Sequence, residues 1–470
     1  MIPFSTTDVL RATGASLRVD GGEGAITSVS TDTRDLESGA LFVALSGPNF
    51  DGAAFAVAAA RAGARAVLLP AGSPELERVV DELPAGTAAL VHPEPRRALG
   101  DLAAWYRTRL EIPVVGITGS CGKTTTKNTL LELLGAVRRV VASPSSYNNE
   151  VGVPLTVLSA DSDTEVLIVE VGTNGPGEIA SLCRIARPTA GVLTMVGASH
   201  LEGLGSVEGV AREKGSLIAA LPADGFAVLS AACAHSQGLR EVHGGPVLTF
   251  GVELEADLSA SQVLSHSAGT SFVLEGRQVT SPLLGLHNLQ NLLAALATCR
   301  GLGVELDEVL PHVAGLQGAR GRLERKVLGG LTLLDDSYNS NPDSARASVR
   351  VLAGIHGHAR RVLVLGDMLE LGERAGELHH ELGRHAAHGA PDMLVLVGEL
   401  SRATAAGALE AGMSSAHIHH HEDLESALRS VPGMLSDGDV VLIKGSRATR
   451  LDRLVGELER SFGRGVGGAV

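Results

Sequence analysis

The chain has 470 residues, enough for about three domains at roughly 100–200 residues each. Hydrophobic residues make up 44% and charged residues 20%, which is ordinary for a globular protein, and the 3% of aromatic residues predicts cores built from Val, Leu, Ile and Ala. The net charge of −14 argues against nucleic-acid binding as the main role, because proteins that hold phosphate backbones usually carry a basic face.

The first residues lack the basic and apolar regions of a signal peptide, and no apolar run approaches the length of a membrane span. The four cysteines are widely spaced, and none forms a Cys-x-x-Cys pair. This spacing favours reduced thiols over a disulfide scaffold or a zinc site. We therefore expect a cytoplasmic protein that does not insert into membranes.

Short apolar runs alternate with helical patterns along most of the chain, which predicts an α/β fold with largely parallel sheets. The runs predicted as strands are Ile26–Val29, Leu41–Leu45, Ala66–Leu69, Val114–Ile117, Val166–Val171, Val192–Val196, Val362–Leu365, Leu394–Val397 and Val440–Ile443. Helical patterns cover Leu130–Leu134, Leu217–Leu221 and Leu289–Ala297. We predict three domains, at residues 1–110, 111–318 and 319–470, with a glycine-rich linker at Gly315–Arg322 between the last two.

The stretch Gly119-Ser-Cys-Gly-Lys-Thr-Thr125 follows a predicted strand and opens a helix, which predicts a phosphate-binding loop. Gly119 and Gly122 let the backbone approach phosphate oxygens, and the helix N-terminus faces the anion. Lys123 supplies a cation, and the Thr124 hydroxyl can bind Mg²⁺. The alternative is an incidental glycine-rich turn, since Ile117 stands where the longer form of the loop has glycine.

Glu170 lies near the end of an apolar strand, where ligand sites of parallel sheets are found. Because a charge within an apolar run needs a partner, we predict that Glu170 holds Mg²⁺ beside Thr124. The alternative is a strand-end glutamate that faces solvent. His200 follows the next strand and could bind a second cation or a phosphate, although a loop histidine is more often structural. For Lys214, on the following helix, composition alone favours a solvated lysine.

Two further clusters predict the nucleoside side of a site. Asn288 and Asn291 are three residues apart on a helix, so both amides share one face and suit the edge of adenine. The alternative is helix capping by Asn288 with Asn291 exposed. Asp336, Tyr338 and Asn339 follow a strand and could hold ribose and base, although a plain turn also needs polar residues.

In these residues the chain resembles the Mur ligase family over nearly its whole length. The motifs that carry the resemblance are Ser120-Cys-Gly-Lys-Thr-Thr-Thr-Lys127, Tyr147-Asn-Asn-Glu-Val-Gly-Val-Pro-Leu-Thr156, Glu170-Val-Gly-Thr-Asn-Gly-Pro-Gly-Glu-Ile179, Asp335-Asp-Ser-Tyr-Asn-Ser-Asn-Pro342 and Leu365-Gly-Asp-Met-Leu-Glu-Leu-Gly372. Two N-terminal stretches, Ser30-Thr-Asp-Thr-Arg34 and Asn49-Phe-Asp-Gly52, are similar to the family's motifs on the uridine-diphosphate side.

The resemblance implies a small α/β N-terminal domain that binds the UDP end of the substrate, a central P-loop mononucleotide-binding domain and a Rossmann-like C-terminal domain. It implies an ATP-dependent ligase of peptidoglycan synthesis with two Mg²⁺ ions. The metal ligands would be Thr124, Glu170, His200 and Lys214, the last as a carbamate, and the catalytic set would be Lys123, Glu170, His200 and Lys214. From the local patterns and the resemblance together, the residues expected to bind the nucleotide and substrates are Ser120, Cys121, Thr125, Asn288, Asn291, Arg322, Asp336, Tyr338, Asn339, Thr33, Arg34, Asn148 and Asn149. His379 and Lys444 lie in C-terminal motifs without an assigned role.

Within the family, the chain is similar to the branch that adds D-alanyl-D-alanine to UDP-N-acetylmuramoyl-tripeptide. The Asp-Asn-Pro-Arg motif of the branch that adds the third residue is absent from the sequence. Alternatives are that third-residue-adding branch, a folylpolyglutamate-type ligase, or a non-catalytic ATP-binding partner in cell-wall assembly. We expect a monomer that acts on small-molecule substrates.

Overall fold

The computed structural model describes residues 1–47, 50–266 and 268–463, so Asn49 of the second N-terminal motif lies outside the described residues. Over these ranges the chain forms three large mixed sheets, each packed against helices. The predicted α/β class with three domains is confirmed. Within the described ranges no helix combines the length and the apolar character needed to cross a membrane.

The N-terminal region is built around a five-stranded sheet in the order β2-β9-β8-β5-β4, in which only β2 is antiparallel to its neighbour. Its strands are β1 (Phe4–Ser5), β2 (Ser16–Val19), β3 (Ala25–Ile26), β4 (Ser28–Ser30), β5 (Ala40–Val43), β6 (Ser46–Gly47), β7 (Phe50–Asp51), β8 (Ala66–Pro70) and β9 (Ala88–His92). Its helices are α1 (Thr6–Thr13), α2 (Ala56–Arg61), α3 (Leu76–Glu82) and α4 (Pro95–Arg107).

The central sheet has the order β11-β12-β10-β13-β14-β15-β16-β17-β18 and is parallel up to β16. Its strands are β10 (Val114–Thr118), β11 (Val140–Ala142), β12 (Val166–Glu170), β13 (Ala190–Leu193), β14 (Phe226–Ser230), β15 (Val247–Val252), β16 (Leu258–His266), β17 (Gly269–Leu274) and β18 (Arg277–Ser281). The helices are α5 (Lys123–Gly135), α6 (Gly152–Ser159), α7 (Glu178–Ala186), α8 (Leu201–Leu204), α9 (Val207–Ala219), α10 (Ser236–His243), α11 (Leu286–Gly301) and α12 (Leu306–Val309).

Four predicted strands are shortened or divided in the structure. The runs Leu41–Leu45 and Val166–Val171 end at Val43 and Glu170, and Ile26–Val29 is divided between β3 and β4. The run Val192–Val196 was expected to be extended throughout, but β13 ends at Leu193. The residues that follow turn toward the phosphate loop, where the Met195 carbonyl accepts a hydrogen bond from the Ser120 amide at 2.9 Å. Apolar character alone could not separate the strand from this contact.

The C-terminal sheet has the order β19-β20-β24-β21-β22-β23 and is parallel except for the β19–β20 pair. Its strands are β19 (Glu324–Leu328), β20 (Leu331–Asp336), β21 (Arg361–Gly366), β22 (Met393–Val397), β23 (Ile418–His421) and β24 (Val440–Lys444). Its helices are α13 (Pro342–Ala353), α14 (Ala375–His388), α15 (Ser401–Glu410), α16 (Leu424–Met434) and α17 (Asp452–Phe462).

The N-terminal and central sheets share one continuous apolar core. That core joins Phe4 and Leu99 of the first region to Val157 and Val169 of the second. At its centre the hydroxyl of buried Tyr106 donates to the Ala160 carbonyl and accepts from the Ile2 amide, both at 2.6 Å. The C-terminal sheet is covered on its two faces by separate apolar clusters, which consist almost entirely of residues after 320.

Candidate active site

A cavity of about 980 Å³ lies between the central and C-terminal sheets. It opens at the carboxyl ends of β10, β12, β20 and β24, the edge at which parallel α/β sheets bind ligands. The predicted site residues that line it are Ser120, Cys121, Gly122, Lys123, Thr124, Thr125, Asn148, Asn149, Glu170, His200, Asn288, Asn291, Arg322, Asp336, Tyr338 and Asn339.

The phosphate loop joins β10 to α5 as the sequence predicts. Gly122 has φ +87°, and a Cβ atom there would lie 2.3 Å from Oδ1 of Asn291, so the turn requires glycine. The Lys123 ammonium donates to the Gly119 carbonyl at 2.7 Å. Burial lowers the pKa of Lys123, and the nearby Glu170 carboxylate opposes that shift. The loop therefore holds its cation inside the cavity.

Glu170 is buried, so the alternative of a strand-end glutamate that faces solvent is wrong. Its side chain is 1% exposed, and its two carboxylate oxygens accept hydrogen bonds from Thr124 Oγ1 at 2.9 Å and Asn148 Nδ2 at 2.8 Å. Its backbone amide donates to Ser143 Oγ at 3.0 Å. Thr124, Asn148 and Glu170 therefore form one polar cluster at the end of β12.

Lys127, the last residue of the Ser120–Lys127 motif, stabilises the backbone next to this polar cluster. Its side chain is 2% exposed, and its ammonium donates to the carbonyls of Ser143 and Ser145 at 2.6 and 2.5 Å. These two bonds fix the turn that leads to Asn148. The sequence signal was the lysine one helical turn after Lys123, which places both cations on one side of α5.

His200 and Lys214 are both withdrawn from bulk solvent. The His200 side chain is 21% exposed, and its Nδ1 lies 2.9 Å from a carboxylate oxygen of Glu370. Burial, together with Lys123 and Lys214, lowers the pKa of His200 to about 4, so the imidazole is neutral near pH 7. Its backbone has φ +52°, a left-handed conformation that is unusual for a histidine.

The expectation from composition that Lys214 is exposed to solvent is wrong. The Lys214 side chain is 0% exposed, and its Nζ has no hydrogen-bond partner among the described residues. The carboxylate of the preceding Glu213 is engaged elsewhere, because it accepts from the amides of Gly177 and Ile179 at 2.7 and 2.8 Å. Burial therefore lowers the pKa of Lys214 well below its usual range.

The two asparagines of α11 are buried, so capping by Asn288 with Asn291 exposed is wrong. Asn288 Nδ2 donates to the Leu284 carbonyl at 2.9 Å, and Asn291 Nδ2 donates to Asn288 Oδ1 at 3.2 Å. Thr126 Oγ1 donates to Asn291 Oδ1 at 3.3 Å. Both amides line the cavity beneath the phosphate loop.

The polar turn after β20 is stabilised by hydrogen bonds from Lys444 and by cation–π contacts. Lys444 Nζ donates to Asp336 Oδ2 at 2.6 Å and to the Asn339 carbonyl at 3.1 Å. Two guanidinium groups pack on the Tyr338 ring, with Arg322 Cζ at 4.3 Å and Arg447 Cζ at 4.9 Å from the ring centroid. Lys444 thus fixes Asp336, and the arginines bring positive charge to the cavity.

Besides the hydrogen bond from Arg322 Nη2 to Thr124 Oγ1 at 3.3 Å, three contacts that sequence reasoning missed join the C-terminal region to the central one. Asn341 Nδ2 donates to the Ser120 carbonyl at 3.3 Å, and the Ala198 amide donates to Asp343 Oδ2 at 3.1 Å. The third is the contact between Glu370 and His200. Asn341 and Glu370 lie in the Asp335–Pro342 and Leu365–Gly372 motifs, but nothing in their local patterns indicates their partners.

Four predicted site residues do not line the cavity: Gly119, Lys214, Thr33 and Arg34. Gly119 lies behind the loop, where a Cβ atom would be 1.9 Å from Thr194 Oγ1. Arg34 is exposed and pairs with Asp32 in the N-terminal region. His379 is fully buried in the C-terminal region, where its Nε2 accepts from the Met368 amide at 2.9 Å.

Comparison with known proteins gives three family matches along the chain. Residues 25–107 match the Mur ligase family catalytic domain, residues 117–299 the Mur ligase middle domain, and residues 321–447 the Mur ligase glutamate ligase domain. The UDP-N-acetylmuramoyl-tripeptide–D-alanyl-D-alanine ligase of Bacillus subtilis (strain 168) is 35% identical, over 93% of this chain and 94% of its own length.

Solved structures agree with this result. MurF from Acinetobacter baumannii superposes with a TM-score of 0.86 at 28% identity, over 97% of this chain and 99% of its own. MurF ligase from Thermotoga maritima, solved in complex with ADP, gives a TM-score of 0.79 at 28% identity, over 93% of this chain and 98% of its own. The motif-based prediction is confirmed, and the chain belongs to the Mur ligase family.

Proposed function

We propose that this chain is the ATP-dependent ligase that joins D-alanyl-D-alanine to UDP-N-acetylmuramoyl-tripeptide in peptidoglycan synthesis. The observation that carries the proposal is the polar cluster of Lys123, Thr124 and Glu170, which faces the C-terminal residues Asp336 and Tyr338 across one cavity. Relatives and solved structures bearing that ligase name match the chain along nearly its full length. We expect the enzyme to act as a monomer in the cytoplasm.

The chemistry requires activation of a carboxylate, because a carboxylate and an amine do not condense in water. The γ-phosphoryl group of ATP passes to the C-terminal carboxylate of the tripeptide, which yields an acyl phosphate and ADP. The free amine of D-Ala-D-Ala attacks the acyl carbon and loses a proton, and phosphate leaves as the amide forms. Lys123 neutralises charge on the transferred group, so positioning and electrostatics dominate the catalysis.

The residues at the loop fit Mg²⁺. Within the described residues no three His, Cys, Asp or Glu side chains cluster as metal ligands. Mg²⁺ does not need such a cluster, since it keeps several waters and binds through one or two carboxylates and substrate phosphates. Glu170 and the Thr124 hydroxyl, 2.9 Å apart, would hold one ion. That ion would offset the repulsion between the ATP phosphates and the substrate carboxylate.

Lys214 and His200 would hold a second ion. Burial lowers the pKa of Lys214, which raises the fraction of the neutral, nucleophilic amine, and that form can add CO₂ and release a proton to give a carbamate. This addition would turn the unpartnered Lys214 amine into an oxygen ligand for a cation. His200, which is neutral near pH 7, would supply a ring nitrogen.

The remaining contacts divide between nucleotide and substrate. Asn288 and Asn291 would face adenine, Asp336 the ribose, and Arg322 the phosphates. We propose Tyr338 and Asn339 as base contacts, with the base packing on the Tyr338 ring beside Arg322 and Arg447. Asn148 and Asn149 would lie beside the muramoyl peptide, and Thr33 and Arg34 would bind the UDP end.

One assay tests the function directly. Phosphate release is measured with ATP and UDP-N-acetylmuramoyl-tripeptide, and D-Ala-D-Ala is compared with single amino acids as the acceptor. We expect turnover that depends on D-Ala-D-Ala. Turnover with a single amino acid would identify another member of the superfamily, and nucleotide binding without substrate-dependent phosphate release would identify a non-catalytic binding protein.

We predict that the C-terminal domain closes on the central domain when ATP binds. The cavity carries nucleotide-binding residues on both sides, and the polar contacts that cross it near the phosphate loop are few. A non-hydrolysable ATP analogue should therefore reduce the radius of gyration measured by small-angle X-ray scattering. The Lys123→Ala variant should show no such compaction, and unchanged wild-type curves would contradict the prediction.

A further inference from the structure

Glu370 belongs to the C-terminal domain, yet its carboxylate reaches His200 of the central domain. Its Oε2 lies 2.9 Å from His200 Nδ1. The Glu370 side chain is 60% exposed, so burial does not force it toward the histidine. The contact therefore reflects where the backbone places the two residues.

Both residues have an unusual backbone conformation. Glu370 has φ +64° and His200 has φ +52°. The left-handed region is unfavourable for residues other than glycine and persists only when the surrounding structure enforces it. Two such residues that meet across a domain interface are typical of a functional contact.

The segment that presents Glu370 is fixed on its N-terminal side. The Asp367 carboxylate accepts from the Ser401 amide at 2.8 Å, which ties the segment to α15. The Met368 amide donates to His379 Nε2 at 2.9 Å, and the Leu369 amide donates to Ser446 Oγ at 2.9 Å. These bonds leave Glu370 little freedom, and they give His379 a structural role.

Leu371, on the other side of Glu370, is 3% exposed and packs into the apolar cluster beneath α13 and α14. Glu370 is thus the exposed tip of a segment that is anchored before and after it. A tip held in this way can place a carboxylate accurately without packing around the carboxylate itself.

We propose that Glu370 is a positioning residue that orients the His200 ring when the C-terminal domain closes. A carboxylate oxygen 2.9 Å from Nδ1 is placed to accept a hydrogen bond from an Nδ1–H, and that tautomer leaves Nε2 as the nitrogen available in the cavity. Carboxylate–histidine pairs of this kind fix the ring of metal-binding histidines. The inference rests on the proposed function, in which His200 serves a cation beside the ATP phosphates.

The consequence is a link between domain closure and assembly of the site. In an open arrangement the C-terminal domain, and Glu370 with it, would be withdrawn from His200. The ring would then lose its orienting partner, and only the closed enzyme would have the complete ligand set. This arrangement would limit phosphoryl transfer to the state that excludes water.

The test compares Glu370→Ala and Glu370→Gln with the matched control Glu373→Ala, which removes an exposed carboxylate three residues away. We measure kcat and KM for ATP, and we measure Mn²⁺ affinity by electron paramagnetic resonance with a non-hydrolysable ATP analogue. For Glu370→Ala we expect kcat to fall and the Mn²⁺ dissociation constant to rise, each by about 10–100-fold. KM for ATP should change by less than about twofold.

Glu370→Gln should retain most of both properties, because its amide oxygen still accepts a hydrogen bond from Nδ1. Glu373→Ala should match the wild type. The inference fails if Glu370→Ala keeps wild-type kcat and Mn²⁺ affinity. It also fails if this variant loses nucleotide-induced compaction while its Mn²⁺ affinity stays unchanged, because Glu370 would then only hold the two domains together. The Mn²⁺ measurement needs no turnover, so it separates this failure from failure of the proposed function.

Discussion

Replacement of Lys123 with alanine should lower kcat for ligation by about 10²–10³-fold, the usual cost of removing one electrostatic contact to developing charge. The fold should survive, because burial already disfavours this ammonium and it makes a single hydrogen bond, to the Gly119 carbonyl. Phosphate release with saturating ATP, tripeptide and D-Ala-D-Ala measures the effect, and thermal unfolding measures stability.

The matched control is Arg138→Ala, which removes an exposed cation just beyond the end of α5. It should leave both turnover and the unfolding midpoint unchanged. Near-normal turnover in Lys123→Ala would contradict the assignment of the loop to phosphate binding. Loss of the folded state in that variant would contradict the claim that Lys123 is dispensable for folding.

The second large effect is expected at Lys214, where activity and stability should change in opposite directions. Lys214→Met keeps the length of the side chain and removes an amine that is 0% exposed and has no hydrogen-bond partner among the described residues. We expect ligation to fall by about 10–100-fold through loss of a metal ligand. In buffer without bicarbonate or divalent cations, the free energy of unfolding should rise by at least about 1 kcal/mol, since one pKa unit corresponds to about 1.4 kcal/mol.

The gain in stability should depend on pH in a defined direction. Burial lowers the pKa of Lys214 in the folded state below its unfolded value of 10.5, so the unfolded chain binds more protons at neutral pH. The lysine therefore weakens the fold more as pH falls from 10.5 toward the lowered pKa. Urea unfolding at pH 7 and pH 9 should show the larger advantage of Lys214→Met at pH 7; an equal advantage at both would contradict a neutral buried amine.

The sequence alone predicted the parts of the site that depend on local order. A strand, a glycine turn, a lysine and a helix in succession specify a phosphate loop, and an acid at the end of an apolar strand needs a partner. These rules placed Lys123, Thr124 and Glu170 correctly in one cavity. The class of fold followed from the alternation of strands and helices for the same reason.

Contacts between distant segments could not be predicted in this way. Glu370 and His200 are 170 positions apart, and nothing in either local pattern indicates the other. The burial of Lys214 was also missed, because its helix carries charged neighbours that are typical of an exposed face. Burial depends on how α9 packs against the sheet, and that packing is set by the tertiary structure.

The apolar core shared by the N-terminal and central sheets has a consequence for the architecture of the enzyme. A fragment ending near residue 107 would expose the face of α4 that packs against α6 and α7, and would strand the Tyr106 hydroxyl. The first hundred residues are therefore not a detachable module. They form one body with the central sheet, so only the C-terminal domain would move relative to a substrate that is bound to both.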